Sequence, residues 1–277
     1  MKPYVWRNKE KRAERAQAHY LEMEKKYPNE IKHSIQNSII YEPDWNLPEE
    51  DNNGNTLYDY KDGIYKIIID NITTSEAIAK YSNTGKTAAL NFASFKNPGG
   101  MFLNGSRAQE ECLCHDSILY NVLKEFQESY YTINKKMLNN ALYESRILYS
   151  PDIVFDFDYN KQNVVTKVDI ITSAAPNAGA FCRYHKGSKE MINAAMIDRV
   201  SKIFTIAAEH NIHNLILGAF GCGVFENDPK DVASIFKKCI DTEHSLFKDI
   251  NFIFAIPSTD NNTYIDNYNI FKNVLES

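Results

Sequence analysis

Apolar residues along the chain alternate between strand-like and helix-like spacing. Residues 8–26 are dense in Lys, Glu, Arg, Ala and Leu, which favours a helix that ends before Pro28. From about residue 57, β-branched apolar runs alternate with amphipathic segments. We predict strands at 64–69, 87–93, 168–172, 214–218 and 250–255, and helices at 74–81, 108–126, 189–210, 230–242 and 264–275. Thr74 is the predicted N-cap of the first of these helices.

The predicted strands are apolar on both faces, which indicates a mainly parallel sheet covered by helices on both sides. Ligands bind beyond the carboxyl ends of the strands in such sheets. Three loops follow strands in this way, at 94–108, 174–186 and 219–229. An acidic, turn-rich stretch at 45–56 predicts a boundary between an N-terminal helical extension, 1–56, and a main domain, 57–277.

Composition and charge narrow the class of protein. The apolar fraction of 43% and the charged fraction of 24% among 277 residues are typical of a globular protein. The net charge of −5 argues against a broad nucleic-acid-binding surface. The N-terminus has no apolar signal core, and no run of about 18 apolar residues occurs. We therefore expect no membrane association and a cytoplasmic location.

The cysteines do not suggest a disulfide framework or a metal site. They form an odd set without C-x-x-C spacing, at Cys112, Cys114, Cys182, Cys222 and Cys239, as expected for a reduced intracellular protein. His115 follows Cys112 and Cys114, but this spacing is too tight for the usual zinc pattern. The acidic run 156–160 lacks the spaced ligands of a calcium loop and is expected to be an exposed turn.

The stretch from Asn97 to Glu111 has the strongest features of a functional site. Gly99 and Gly100 let the main chain approach a ligand closely, and Glu110 and Glu111 lie at a predicted helix start among unpaired N–H groups. Consecutive helical residues point about 100° apart, so the two carboxylates are not expected to face each other as a pair. The alternative is that both glutamates only stabilise the first turn of the helix.

A second glycine-rich loop reads Gly218-Ala-Phe-Gly-Cys-Gly-Val-Phe-Glu-Asn-Asp-Pro229. Its glycines follow an apolar strand, so their N–H groups are able to cradle phosphate oxygens. A tight turn with Pro229 at the first helical position explains the same residues without a ligand. The small residues of 173–180 likewise permit close approach, and packing explains them equally well. The co-occurrence of two glycine loops with Gln109-Glu-Glu favours a ligand site.

Several blocks of this sequence occur in the order in which a known family carries them. In the first half they are Asn91-Phe-Ala-Ser-Phe-Lys-Asn-Pro-Gly-Gly, Leu103-Asn-Gly, Ala108-Gln-Glu-Glu and Leu113-Cys. In the second half they are Ser173-Ala-Ala-Pro-Asn-Ala-Gly and Leu217-Gly-Ala-Phe-Gly-Cys-Gly-Val-Phe-Glu-Asn-Asp-Pro. These blocks resemble the bacterial-type poly(ADP-ribose) glycohydrolases, which carry a macrodomain fold.

The resemblance implies a three-layer α/β/α macrodomain with a mixed, mainly parallel sheet and an N-terminal helical extension. The implied reaction cleaves ribose–ribose O-glycosidic bonds of poly(ADP-ribose) and releases ADP-ribose. Glu111 would be the catalytic acid and base, Glu110 would contact ribose hydroxyls, and loop 221–225 would wrap the diphosphate with Phe225 near the distal ribose. The implied ligand-binding residues are Ser94, Asn97, Gly99, Gly100, Gln109, Gly221, Cys222, Gly223, Val224, Phe225 and Asn71.

The resemblance also implies which partners to expect. The substrate is poly(ADP-ribose) or an ADP-ribosylated macromolecule, the product is ADP-ribose, and no metal or cofactor is required. One departure concerns the glycines, because the family pattern has three and this chain has Gly99-Gly100-Met101. The Met101 side chain either crowds the loop or packs away from the ligand. We expect retained activity because both glutamates and the phosphate cradle are present.

Three other functions are compatible with parts of the same pattern. A protein that only binds ADP-ribose would keep the fold, although it has no evident need for the Glu110-Glu111 pair. A mono-ADP-ribosyl hydrolase would use the same chemistry on modified protein or nucleic acid, and a purely structural protein would not bind ADP-ribose at all. The adenine site is the least defined, with Asn71 and the loop 257–260 as its candidate residues.

Overall fold

The computed structural model describes residues 8–47, 63–159, 161–185, 187–258 and 266–277. The strands are β1 (Ile39–Tyr41), β2 (Ile64–Asp70), β3 (Thr87–Phe92), β4 (Ile147–Tyr159), β5 (Gln162–Ser173), β6 (Asn214–Leu217) and β7 (Asp249–Ala255). The α-helices are α1 (Lys9–Lys26), α2 (Pro28–Asn37), α3 (Thr74–Tyr81), α4 (Gln109–His115), α5 (Leu119–Leu123), α6 (Thr132–Asn134), α7 (Ala178–Tyr184), α8 (Lys189–Glu209), α9 (Pro229–Glu243) and α10 (Asn267–Leu275).

The strands of the described residues form one mixed sheet in the order β1-β4-β5-β3-β6-β7-β2. The pairings from β5 through β3, β6 and β7 to β2 are parallel, whereas β1 and β5 pair antiparallel with β4. The carboxyl ends of β3, β5 and β6 therefore lie at one edge. This arrangement confirms the predicted mixed, mainly parallel sheet and brings the three candidate loops to the same end of the molecule.

Helices cover both faces of the sheet, which explains why central strands such as β3 and β6 are apolar on both faces. Along β3, Ala88 and Leu90 pack with residues of α8, α9 and α10, whereas Ala89 between them packs with residues of α1 to α5. A strand that is buried on both faces is apolar at successive positions, whereas a half-exposed strand alternates apolar and polar residues. The three-layer α/β/α architecture is therefore confirmed.

The segment between the predicted helix at 108–126 and β5 differs from the prediction. That helix is interrupted after α4 because the backbone at 116–118 pairs with β4, with Ile118 N donating to Val154 O and Asp156 N to Asp116 O. The run at 156–159 is part of β4 and not an exposed turn; residue 160 lies outside the described residues. A register shift between Ser150 and Ile153 breaks the apolar alternation of β4, so its spacing did not predict a strand.

The other predicted elements agree with the structure to within a few residues, except that β5 begins at Gln162, well before the predicted strand at 168–172. A further difference concerns a helix cap. Thr73, not Thr74, caps α3: its hydroxyl accepts from Glu76 N at 3.3 Å, and Glu76 accepts from Thr73 N at 2.7 Å. Such reciprocal capping satisfies two N–H groups that the helix leaves unpaired.

The N-terminal segment contains α1, α2 and the edge strand β1, which pairs with β4. Most of the predicted boundary at 45–56 lies outside the described residues, and the division of the chain after residue 56 stays a prediction. Within the described ranges, no helix is both long enough and apolar enough to cross a membrane.

Candidate active site

A cleft of about 470 Å³ opens at the carboxyl ends of β3, β5 and β6. The predicted site residues that line it are Ser94, Gly100, Gln109, Glu110, Glu111, Gly221, Gly223, Val224 and Phe225. Asn71, Asn97, Gly99 and Cys222 do not line this cleft. The structure thus brings together glycine-rich loops that lie more than a hundred residues apart in sequence.

Glu111 ties the glycine loop to the start of α4. Its side chain is buried, with the residue 6% exposed, and its two oxygens accept from Met101 N at 2.9 Å and Ala108 N at 2.8 Å. A carboxylate has about four acceptor positions, so both oxygens retain capacity for a ligand. The loop between Met101 and Ala108 is therefore closed by the side chain that we expect to perform the chemistry.

Glu110 is buried more completely and is held by β3 and the residues that follow it. Its oxygens accept from Ser94 N at 2.7 Å and from Asn91 Nδ2 at 3.3 Å, and the residue is 2% exposed. Burial is the largest cause that raises the pKa of Glu110 to about 8, and the neighbouring charge of Glu111 adds to it. The hydrogen bonds from Ser94 and Asn91 act in the opposite direction.

Gly100 is the point at which both carboxyl groups converge. A Cβ at this position would lie 2.5 Å from Glu111 Oε1 and 3.0 Å from Glu110 Oε2, and the backbone has φ +60°. Either feature alone disfavours a side chain. The two side chains start about 100° apart on the helix, as expected, but the site brings both carboxyls to the same glycine.

Met101 lines the cleft, donates its backbone N–H to Glu111, and is 47% exposed as a residue. Its backbone has φ −111° and ψ 36°, so this position has no conformational need for glycine. The N–H that donates to Glu111 is available from any residue except proline. A methionine at the third position is therefore compatible with the geometry of the glutamate pair.

Gly99 and Asn97 shape the loop rather than line the cleft. A Cβ on Gly99, where φ is +63°, would lie 2.7 Å from the Tyr120 ring. Asn97 is exposed; its N–H donates to Ser94 Oγ at 3.2 Å, and its carbonyl accepts from Gly100 N at 3.1 Å. These bonds form a tight turn that places Gly100 next to the two glutamates.

Gln109 lines the cleft, but its amide is bonded to β3. Its Oε1 accepts from Phe92 N at 2.9 Å, and its Nε2 donates to Leu90 O at 2.8 Å. The Gln109 amide thus makes the hydrogen bonds that a neighbouring strand would make with the end of β3. These bonds fix the start of α4 against β3. Ligand binding by Gln109 stays a prediction.

The second glycine loop follows β6 and forms the opposite wall of the cleft. Gly221 has φ +73°, and a Cβ there would lie 2.6 Å from Ala175 Cβ. The buried Asn227 holds the loop closed by donating from Nδ2 to Gly221 O at 3.0 Å and to Pro176 O at 2.8 Å. Asn227 also connects this loop to the one that follows β5.

The backbone of this loop offers donors to a ligand. Within the described part of the chain, the N–H groups of Gly221, Gly223, Val224 and Phe225 have no acceptor in the protein. Val224 is 81% exposed, and a Cβ on Gly223 would meet nothing within 4 Å. Successive free N–H groups of this kind form an anion-binding concavity.

Cys222 has a different environment from its neighbours. Its side chain packs against the main hydrophobic core, and burial raises the pKa of its thiol to about 12. A neutral buried thiol is a weak nucleophile, and the Cys222 N–H donates to Ala219 O at 3.1 Å. Ligand binding by Cys222 stays a prediction. All five cysteines are free, and no group of three or more His, Cys, Asp or Glu among the described residues is arranged to hold a metal.

Asn71 lies on the exposed surface at the end of β2. Its amide donates to Ser258 Oγ at 2.7 Å, and its oxygen accepts from Ser258 N at 2.7 Å. Residues 259 and 260 of the candidate adenine loop lie outside the described residues. A second cleft of about 500 Å³, with Pro257 in its wall, adjoins the first and shares Phe92, Gln109 and Asn267 with it. Adenine binding near Asn71 stays a prediction.

Asn91 and Asn267 are among the residues of the site to which the sequence assigned no role. Asn91 is fully buried in β3, and its amide donates to Glu110. A polar residue within an apolar strand was the sequence signal that could have identified it. Asn267, at the start of α10, lines both clefts, and no local pattern connects it with the glycine loops.

The family described as microbial-type PARG, catalytic domain, matches residues 10–156. No curated protein matches the chain. The structure is similar to that of poly(ADP-ribose) glycohydrolase (PARG) from Thermomonospora curvata bound to the inhibitor ADP-HPD, with 25% identity, a TM-score of 0.80, and coverage of 95% of this chain and 99% of that one.

A structure of poly(ADP-ribose) glycohydrolase from Deinococcus radiodurans in complex with ADP-ribose is also similar. It shows 29% identity and a TM-score of 0.74, and the likeness covers 89% of this chain and 97% of that one. The family match spans more than half of the sequence, and the similarity to solved structures spans nearly all of it. This chain therefore belongs to the family of microbial-type poly(ADP-ribose) glycohydrolase catalytic domains.

Proposed function

We propose that this protein hydrolyses the ribose–ribose O-glycosidic bonds of poly(ADP-ribose) and releases ADP-ribose, with Glu111 as general acid and base. The observation that carries the proposal is the cleft itself. One wall presents the Glu111 carboxyl, fixed by Met101 N and Ala108 N. The other presents the free backbone N–H groups of Gly221, Gly223, Val224 and Phe225. An acid on one side and an anion cradle on the other match a sugar joined to a diphosphate.

In the proposed reaction, protonated Glu111 donates its proton to the ribose oxygen that leaves the anomeric carbon. The bond breaks through a state with oxocarbenium character. Water then adds to the anomeric carbon, and its proton passes to the Glu111 carboxylate, which restores the acid. The backbone bonds to Met101 and Ala108 keep the carboxyl in place through both steps.

Glu110 has two roles in this proposal. It accepts or donates a hydrogen bond at the ribose hydroxyls, and it retains a proton at the site. Its raised pKa, about 8, means that Glu110 carries a proton at neutral pH. Asn91 and Ser94 N hold Glu110 at the end of β3, so the hydroxyl anchor is as rigid as the strand.

The loop 221–225 would bind the diphosphate through its N–H groups and so orient the distal ribose. Phe225 lines the cleft and would pack against that ribose. The complex of the Deinococcus radiodurans relative with ADP-ribose supports this class of ligand. We also propose a reducing, cytoplasmic location, which the five free cysteines support.

The decisive experiment compares wild type with Glu111→Gln on automodified polymer. We expect wild type to release ADP-ribose and the variant to lose roughly 10²- to 10⁴-fold in rate, because a general acid contributes that much. Calorimetric titration should show that the variant still binds ADP-ribose. Glu190→Gln is the matched control, because Glu190 is also a first-turn helix glutamate but is exposed and outside the cleft.

Two outcomes would contradict the proposal in different ways. A wild-type protein that binds ADP-ribose but leaves the polymer intact would be a binding module. A protein that removes single ADP-ribose groups from modified protein or nucleic acid, and leaves the polymer intact, would be a mono-ADP-ribosyl hydrolase.

A further inference from the structure

A strained turn at 139–144 lies behind the cleft. Four residues other than glycine have positive φ in it: Asn139 at 40°, Asn140 at 53°, Ala141 at 71° and Tyr143 at 61°. Such conformations cost energy and persist only where the surroundings enforce them, and they cluster at functional sites. Other parts of the protein must therefore hold the turn in this conformation, and the turn is a candidate for a functional role.

Arg199 and the loop after β5 enforce this turn. Arg199 of α8 is 1% exposed, and its guanidinium donates to Glu144 O at 2.7 Å, to Tyr143 O at 3.0 Å and to Leu142 O at 3.3 Å. Ala141 O accepts from Asn177 N at 2.9 Å. A buried cation that satisfies three carbonyls holds the backbone in a conformation that it would not otherwise adopt.

The turn presents Tyr143 to both loops of the cleft. The Tyr143 ring stacks on Phe95, with centroids 4.4 Å apart and planes 14° apart. The same ring meets Phe225 edge-on, with centroids 6.0 Å apart and planes 61° apart. Phe95 directly follows Ser94, whose N–H donates to Glu110, and Phe225 ends the proposed diphosphate loop. Tyr143 itself does not line the cleft.

We propose that Tyr143 is a positioning residue that fixes the distance between the glutamate loop and Phe225. It acts through Phe95 on one side and Phe225 on the other, and Arg199 sets its backbone. The inference rests on the proposed function, because Phe225 is taken to contact the distal ribose. The Tyr143 ring, as a rigid spacer between the two walls, would keep the ribose in line with the carboxyls. Small displacements of the ribose would lower the reaction rate.

The test is a double-mutant cycle between Tyr143→Leu and Phe225→Leu. We expect Tyr143→Leu alone to lower kcat/KM for polymer by about tenfold, and to have almost no further effect when Phe225 is already Leu. Tyr143→Phe keeps the ring and should retain wild-type kcat/KM. Phe95→Leu, which removes the other side of the stack, should show the same dependence on Phe225.

A control separates positioning from general loss of stability. Phe247→Leu removes a buried ring, 4% exposed, two residues before β7 at the opposite end of the sheet, and should lower the melting temperature without changing kcat/KM. Additive effects of Tyr143→Leu and Phe225→Leu, or a folded Tyr143→Leu protein with wild-type kcat/KM, would overturn the proposal. If Tyr143→Leu does not fold, the cycle with Phe95→Leu decides.

The same cycle is measured on ADP-ribose affinity by calorimetry. A protein without polymer cleavage would refute the proposed function, whereas coupling between residues 143 and 225 in ADP-ribose affinity would still support the positioning role. Polymer cleavage without any coupling would refute the positioning role alone. The two failures are therefore distinguishable.

Discussion

At the scale of single residues, Gly100 and Glu111 depend on each other. The glutamate closes the loop by accepting from Met101 N, and the glycine leaves the space that its carboxyl occupies. The sequence predicted that the glycines here let the main chain approach a ligand closely. In the structure, the crowded neighbours of Gly100 are the two carboxyls themselves, which is a contact within the protein.

A first prediction follows for Gly100→Ala. The added Cβ would overlap Glu111 Oε1 and the backbone would be strained at φ +60°, so we expect a loss on the order of 10²-fold in kcat and about 1–3 kcal/mol in stability. Polymer cleavage and denaturant unfolding measure the two effects. Gly85→Ala is the control, because an alanine at this position would also be strained at φ +155°, but the position precedes β3, away from the cleft. Wild-type kcat in Gly100→Ala would refute this account of the glycine.

At the scale of elements, α1 supports the glycine loop from outside the sheet. Arg12 Nε donates to Gly105 O at 2.7 Å, and Gly105 has φ +75°. A Cβ on Gly105 would collide with Lys9 O and lie 2.9 Å from Ala13 N. The helix backbone and the loop backbone are therefore in direct contact, and α1 limits how far the residues between Met101 and Ala108 are able to move.

This contact predicts the effect of Arg12→Ala. Loss of a charge-assisted hydrogen bond in a partly buried position should cost about 1–2 kcal/mol and loosen the loop at 101–108. Hydrogen exchange of the loop amides should increase, and kcat should fall because Glu111 loses part of its support. Lys25→Ala, at the exposed far end of α1, should change neither quantity. Unchanged loop protection in Arg12→Ala would show that α1 does not hold the loop.

At the scale of the whole molecule, the buried Glu110 carboxyl makes the stability of the protein depend on pH. The pKa of Glu110 is raised to about 8 in the folded protein, whereas an unfolded chain would titrate near the ordinary value of 4.5. Between these values the folded state binds the proton and the unfolded state has lost it. The free energy of unfolding therefore falls, through this group, as pH rises from about 4.5 to 8.

Glu110→Gln should remove this dependence. We expect the stability difference between the variant and wild type to grow in favour of the variant from pH 5 to pH 8, on the order of a few kcal/mol. Urea unfolding of both proteins at the two pH values measures it. Wild-type cleavage should also decline above about pH 8 as Glu110 loses its proton. A stability difference that is independent of pH would contradict the raised pKa.

Most of the fold could be predicted because its signals are local. Strands buried on both faces are short apolar runs, and α8 and α9 follow the predicted boundaries to within one residue. The glycine-rich loops and the glutamate pair are also local sequence patterns, so the residues of the two walls of the cleft could be predicted as well. Two failures lie in the middle of the chain, where pairing with β4 breaks a helix at 116–118 and a register shift hides a strand. The elements α2, β1 and α7 were not predicted either.

The sequence by itself determined the layered architecture, the family and the residues of the two glycine loops, since each depends on residue type and spacing over short distances. Tertiary structure alone decided that both carboxyls meet at Gly100, that Arg12 holds the loop across 93 residues, and that Tyr143 spans the two walls. These contacts join segments far apart in sequence, and local periodicity carries no information about which distant groups meet. The Arg199 side chain that enforces the turn at 139–144 comes from α8, more than fifty residues away.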